Sequence, residues 1–293
     1  MPELPEVETV ARMLREPLVG RRIEAAWVGW PRAVAPLGPR AFSNRVVGRT
    51  IRSVGRRAKY LLLELERDGL PSGWLVGHLR MSGRLQIFPA ASDRGPYCRL
   101  CLSLTGEQSL HFIDVRKFGR LRHAARPELV LPALGPEPLG EGFSAQWLFQ
   151  ALRGRRRQLK PLLLDQSFLA GLGNIYVDEA LFSAGLHPLA SSDRISRRRA
   201  AALHDSIRSV LTAALAGNGS SFDAFYRTPE GQPGRYQDQF LIYGRDGRPC
   251  RRCGRTIVKL AVGQRGTHVC TKCQPKPRLR LSAGDRGRRP VNR

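Results

Sequence analysis

The chain has 293 residues, with 49 Lys and Arg against 24 Asp and Glu, a formal net charge of +25. Residues 274–293 hold seven of those cations and one acid, so most of the excess belongs to the body of the chain and marks a polyanion, nucleic acid first, as the partner. A hydrophobic share of 42% supports about two ordinary cores and excludes wholesale disorder, while apolar runs such as Leu61–Leu63 fall far short of the roughly 18 residues a membrane span needs.

The first eight residues carry three acids, Glu3, Glu6 and Glu8, and no basic side chain. They lack the basic-then-apolar profile of a signal peptide, so the cytoplasm is the expected compartment. A helix is predicted over about residues 3–15, because Val7, Val10, Ala11 and Leu14 recur at helical spacing and Pro5 fits a first turn. The helix macrodipole favours carboxylates there, which accounts for Glu6 and Glu8. It does not account for Pro2. Without Met1, Pro2 presents a secondary amine with a pKa of about 8, partly neutral near pH 7 and able to form an iminium with a carbonyl-like carbon.

From about Gly20 to His123, short β-type runs are broken by Gly and Pro, which predicts an antiparallel sandwich or barrel. Lys59 leads into the apolar run that begins at Tyr60. The segments 78–83 and 114–119 sit at strand ends, where His78, Met81, Arg116 and Phe118 set cations beside apolar wedges. That combination suits the extrusion of a nucleotide from a duplex. Cys98 and Cys101 fall within one strand, where residues three apart face opposite ways, so they are not expected to share a metal.

Residues 131–140 contain three prolines and two glycines and read as a linker. Beyond it the pattern is helical: Ser144 caps a segment ending near Gly154, Asn174–Ala184 is stopped by Gly185, and Ser196–Ala216 by Gly217. Residues 220–234 are polar and read as mobile. Cys250, Cys253, Cys270 and Cys273 have the C-x2-C-x16-C-x2-C spacing of a zinc ribbon, which predicts one structural zinc. The expected fold is α+β, divided as follows: 2–130, an antiparallel β-sandwich with an N-terminal helix; 131–143, a linker; 144–235, a helical unit; 236–275, the zinc finger; 276–293, a basic disordered tail.

Six segments in order across residues 2–274 resemble the formamidopyrimidine-DNA glycosylase family: Pro2–Val10, Arg57–Tyr60, His78–Gly83, Arg116–Gly119, Gly171–Tyr176 and Gln264–His268. The resemblance implies a helix-two-turn-helix DNA-binding domain and a bifunctional glycosylase and abasic-site lyase of base excision repair. Its partner would be duplex DNA containing oxidised purines, such as 8-oxoguanine and formamidopyrimidines, or abasic sites. Pro2 would attack C1′ and form a Schiff base, with strand cleavage by β,δ-elimination. Glu3 would move protons, Glu6 would be a second essential acid, and Lys59 and Arg265 would complete the catalytic set. His78, Asn174, Lys59 and Arg265 match phosphate-contacting positions, and Lys160 matches a lysine near the lesion. Met81, Arg116 and Phe118 match the residues that fill the vacated stack, Arg116 reading the opposite base. Residues 220–234 would cover the lesion. No metal enters the chemistry, and a monomer on a bacterial nucleoid suffices. The rival readings are an endonuclease VIII-type enzyme for oxidised pyrimidines and an inert zinc-ribbon DNA-binding protein; Leu4 and the full Met81/Arg116/Phe118 trio favour the purine type.

Overall fold

The computed structural model describes residues 1–222 and 225–277; the tail expected over 276–293 lies, from residue 278 on, outside the described residues. Helix α1 (Leu4–Leu18) opens the fold. Its stripe of Leu4, Val7, Val10, Ala11, Leu14 and Leu18 is buried, and the helix ends one residue after Pro17, which cannot supply an amide to the ladder.

Two four-stranded antiparallel sheets follow. One runs β1 (Ile23–Val28), β6 (Cys98–Leu104), β7 (Gln108–Asp114), β5 (Gly83–Pro89) in spatial order. The other runs β2 (Thr50–Arg57), β3 (Tyr60–Arg67), β4 (Leu70–His78), β8 (Arg120–Ala124). Period-two patterning is plain in β3, where Leu61, Leu63 and Leu65 are buried and Leu62, Glu64 and Glu66 are not. Helix α2 (Pro39–Val46) interrupts the expected all-strand stretch. Pro39 fills its first position and Phe42 and Val46, one turn apart, are its buried anchors, a signal too short to stand out from the surrounding Gly and Pro.

The cysteine pair in β6 corrects the facing expected of it. A register shift between Cys98 and Leu100 marks a bulge, which resets strand parity. Both thiols are buried, neither joins the core filled by Leu100 and Leu102, and the Cys101 thiol helps push Cys98, already raised by burial, to about 11.

The second half is built on α3 (Ala145–Arg153), α4 (Leu159–Leu164), α5 (Asn174–Ser183) and α6 (Arg197–Ala216). Ser144 caps α3 through the amide of Trp147 at 3.0 Å, and Ser196 is the N-cap of α6. The hairpin of β9 (Val258–Val262) and β10 (Arg265–Val269) turns through Gly263 and Gln264, both at positive φ as a tight two-residue turn requires. Two main cores result, and they exchange residues: Leu4 of α1 is buried in the helical core, and Tyr226 is buried in the sandwich core. Burial of a leucine is worth about 2 kcal/mol, so these crossings tie the halves together across the cleft that separates them.

The segment 220–234, expected to be mobile, is pinned where it is described. Ser221 Oγ donates to the Tyr226 carbonyl at 2.8 Å, Thr228 is buried, and the Ile87 amide of β5 reaches the Pro229 carbonyl at 3.4 Å.

Candidate active site

A cavity of about 540 Å³ opens where α1, the sandwich loops, α5 and the hairpin tip converge. Pro2, Glu3, Glu6, Lys59, His78, Met81, Asn174 and Arg265 all line it. In it Glu3 and Glu6 of the acidic start meet the cations Lys59 and Arg265.

Glu3 precedes the first residue of α1, and its carboxylate reaches across to α5. Oε2 accepts the Gly173 amide at 2.6 Å and Oε1 the Ile175 amide at 3.0 Å. These are orphan donors at a helix N-terminus, which favours negative charge. Two glycines permit the approach. A Cβ on Gly173 would overlap the Glu3 carboxyl group, and Gly171, at φ +87°, leaves no room for one beside Leu4. Burial pushes the Glu3 carboxyl above its ordinary range, opposed by the Lys59 charge and the two amides. An acid whose pKa is raised in this way is better matched to giving up a proton and taking it back.

Glu6 lies one turn along. It accepts the Glu3 amide at 2.8 Å, the Ser220 amide at 2.7 Å and the Tyr176 hydroxyl. Burial, then the neighbouring charge of Glu3, raises it to about 7. Three donors fix its position, so Glu6 ties α1, α5 and the 220–234 segment to one point.

Lys59 sits in the two-residue turn between β2 and β3, after Ala58 at φ +52°. The ammonium is buried, which lowers its pKa, while Glu3 and Glu6 pull it back up. Glu137 of the linker holds this turn: it accepts Arg56 at 2.8 Å, Arg57 at 2.7 Å and the Ala58 amide at 2.7 Å. Its role went unread in the sequence because a lone acid among prolines carries no pattern.

His78 ends β4. Burial first, then Arg80 and Lys59, pushes it down to about 3, so the ring is neutral at physiological pH. Its Nδ1 accepts the Arg80 amide at 2.9 Å. The ring proton is therefore on Nε2, a neutral donor suited to a phosphate oxygen.

Met81, Arg116 and Phe118 form one cluster beside the cavity. The Arg116 guanidinium contacts the Met81 sulfur at 3.2 Å and lies 5.0 Å from the Phe118 ring centroid. Met81 is 39% and Phe118 49% exposed, unusual for large apolar side chains held on ordered loops. Asp114 shapes their loop, accepting Ser82 Oγ at 2.5 Å and the Gly119 amide at 2.7 Å.

Asn174 and Arg265 come from α5 and the hairpin. Asn174 Nδ2 donates to the Gly266 carbonyl at 3.0 Å, while its buried Oδ1 has no partner among the described residues. Lys160 departs from its expected place. It is fully buried, outside the cavity lining, with Nζ committed to Asp178 at 2.6 Å and the Gly266 carbonyl at 3.0 Å. Asp178 also accepts the His268 amide at 3.0 Å, and Glu179 accepts the amides of Leu241, Ile242 and Tyr243. Two buried acids on α5 thus bolt the zinc unit to the helical core and set the position of Arg265.

The four hairpin thiols, Cys250, Cys253, Cys270 and Cys273, have their sulfur atoms within 4.8 Å of one another. The pairs Cys253–Cys270 and Cys250–Cys273 are 3.4 and 3.9 Å apart. A tetrahedral zinc with Zn–S of about 2.3 Å needs sulfurs about 3.8 Å apart, so the four residues fit one structural zinc. Among the described residues no other group of three or more metal-ligating side chains comes together.

Comparison with known proteins agrees along the chain. Residues 1–121 match the formamidopyrimidine-DNA glycosylase N-terminal domain, 134–225 its H2TH domain, and 247–276 the zinc finger found in FPG and IleRS. The formamidopyrimidine-DNA glycosylase of Roseiflexus sp. (strain RS-1) is 45% identical over 94% of this chain and 100% of its own. That of Bacillus subtilis (strain 168) is 40% identical at the same coverage. The MutM (FPG) protein of Thermus thermophilus superposes with a TM-score of 0.83 at 39% identity, and Lactococcus lactis FPG bound to Fapy-dG-containing DNA with 0.85 at 37%. Each structural match covers 94% of this chain and 100% of the other. The chain belongs to the formamidopyrimidine-DNA glycosylase family.

Proposed function

We propose that this chain excises oxidised purines from duplex DNA and then cleaves the strand at the resulting abasic site, through a Schiff base on Pro2. The observation that carries the reading is the juxtaposition of Pro2 and Glu3 in one cavity with the buried Lys59. The nitrogen of Pro2 attacks C1′ as the bond to the base breaks; the base leaves with the bonding electron pair and takes up the proton that the amine gives up. Glu3, its pKa raised by burial, gives a proton to the sugar ring oxygen as the ring opens, leaving an iminium. The same carboxylate then accepts the C2′ proton for β-elimination, and δ-elimination releases the second phosphate. Lys59, Arg265, Asn174 and the Nε2–H of His78 hold the phosphates around the lesion. Met81, Phe118 and Arg116 occupy the gap in the stack. A bound zinc gives the hairpin its shape and so the placement of Arg265; the proton and bond-breaking steps belong to side chains of the chain itself.

Lactococcus lactis relatives have been seen with DNA carrying Fapy-dG, abasic sites and an oxidised pyrimidine; the full Met81, Arg116 and Phe118 cluster supports the purine reading. The division of labour follows the order 2–130 for chemistry, 144–235 for duplex binding and 236–275 for delivering Arg265. A monomer supplies every residue of the cavity. No helix among the described residues is long and apolar enough to cross a membrane, in keeping with work in the bacterial cytoplasm on the nucleoid. Parallel excision from duplexes containing 8-oxoguanine or thymine glycol tests the substrate: preference for 8-oxoguanine is expected, and preference for thymine glycol would reassign the enzyme to oxidised pyrimidines.

A further inference from the structure

Outside the cavity, residues 153–157 and 192–199 hold eight arginines and one acid, Asp193. All eight guanidinium groups belong to exposed residues. The two stretches are one surface: Ser192 Oγ donates to the Arg155 carbonyl at 2.5 Å, the Ser192 amide to the Arg157 carbonyl at 2.8 Å, and Arg153 reaches the Asp193 carbonyl at 3.2 Å. Arg157 is paired with Asp165, and Asp193 feels the charges of Arg156 and Arg194. Among the described residues the arginines at 194 and 197–199 have no ion-pair partner.

Local contacts explain only part of this concentration: Arg197 donates to Gln146 Oε1 at 3.1 Å and lies 5.1 Å from the Phe149 ring centroid. Arg197, Arg198 and Arg199 are the first three residues of α6, whose first turn holds no acid. Cations there oppose the macrodipole and one another. Their presence against that gradient points to an external anion.

The ridge is also continuous with the cavity. Leu164, Gln166, Gly173 and Asn174 line it. Between them, Asp165 is held by Arg157 at 2.8 Å, and the Phe168 ring lies 5.1 Å from the Arg155 guanidinium. The arginines thus run from the loop after α3 to the start of α6, and two of them, Arg155 and Arg157, touch the turn before α5.

We propose that this ridge binds the phosphates of the duplex on one side of the lesion, beyond the nucleotides held in the cavity. The inference rests on the reading of the chain as an enzyme acting on duplex DNA. Its ligand chemistry is a regularly spaced row of phosphates, which exposed guanidinium groups can meet without reading bases.

The test uses the full, zinc-loaded chain and a variant combining Arg194→Gln, Arg197→Gln, Arg198→Gln and Arg199→Gln, four exposed positions outside the cavity. The probe is a duplex carrying a tetrahydrofuran abasic analogue, either about one helical turn long or extended by about two turns on one side or the other. The wild-type chain gains affinity from extension on one side only, and the variant loses that gain. On the extended duplex its plot of log affinity against log salt is shallower by about 0.9 for each phosphate the variant no longer neutralises, hence by about 3 to 4. Both proteins bind the short duplex alike. An unchanged slope and unchanged length dependence in the variant would overturn the proposal and leave an acidic protein as the partner the ridge fits. Equal gain on both sides would overturn the one-sided track. Borohydride trapping of the wild-type chain on a short lesion duplex reports the Pro2 chemistry separately, so failure of the functional reading and failure of the ridge show in different assays.

Discussion

The amide of Gly173 donates a 2.6 Å hydrogen bond to the carboxylate of Glu3. The acid at the head of the first helix is thereby held by a helix N-terminus from the other half of the molecule. Neither half alone presents a complete site: Pro2 and Lys59 come from one, Asn174 and Arg265 from the other, and Glu3 is the joint.

Gly173→Ala tests that joint. The added methyl overlaps the Glu3 carboxyl, which must shift out of line with the sugar. Single-turnover excision is expected to fall by about 10² or more, the usual consequence of a displaced acid–base group. A rate within a few-fold of wild type would mean that Glu3 does not act from this position.

Glu3→Gln keeps the shape but removes the proton. Binding to a duplex with an abasic analogue should persist, while base excision falls by about 10² to 10⁴. The split between binding and chemistry distinguishes a proton-transfer role from a structural one.

Glu6 makes stability depend on pH. Its folded pKa of about 7 stands above the ordinary 4.5, so its protonated form suits the fold better. Stability from this group is fully present below about pH 4.5 and is lost as pH rises through about 7, by roughly 3 kcal/mol across that window. Thermal melts of Glu6→Gln should vary less with pH between about 5 and 8 than those of wild type. Parallel curves for the two proteins would remove Glu6 as the cause.

Glu137→Ala should loosen the turn that carries Lys59. Burial raises the Glu137 pKa, but Arg56, the Ala58 amide and Arg57 outweigh it and hold the group ionised, with its pKa below the ordinary value. Its stabilisation is present above about pH 4.5 and lost as pH falls through the lower, folded value. Removing it leaves Arg56, 10% exposed, with Glu8 as its one acidic partner among the described residues. A loss of about 1–3 kcal/mol and a rate reduction of about tenfold are expected, read by denaturant melts and single-turnover kinetics. An unaltered rate would leave Glu137 a stability residue only.

Chelation of zinc should release the hairpin while the sandwich stays folded. The cores of the two are separate, and the zinc unit contributes four buried residues to its own core, two of them cysteine ligands, against Phe182 of α5, too few to hold a fold without the metal. Duplex binding is expected to fall with zinc content and recover on readdition. Retained binding in a zinc-free chain would sever the link between the metal and Arg265.

The sequence was most legible where periodicity or spacing carries the information. The buried stripe of α1, the alternation in β3, the cap at Ser144 and the four zinc thiols are all local patterns. Lys160 was misplaced because its partner, Asp178, lies 18 residues on within a helix buried on nearly every face, and a motif gives no sign of which way a lysine points. The Cys98 bulge was invisible because one inserted residue resets strand parity without any sequence marker. Glu137, Asp178 and Glu179 act by accepting backbone amides and cations from distant segments. Such contacts become legible only once the chain is folded.

Sodium borohydride trapping on an 8-oxoguanine duplex tests the central claim most directly. A covalent protein–DNA adduct is expected whose mass and peptide map place the reduced bond on the nitrogen of Pro2, in a chain that has lost Met1. An adduct on Lys59, or no adduct from a preparation that excises the base, would contradict it.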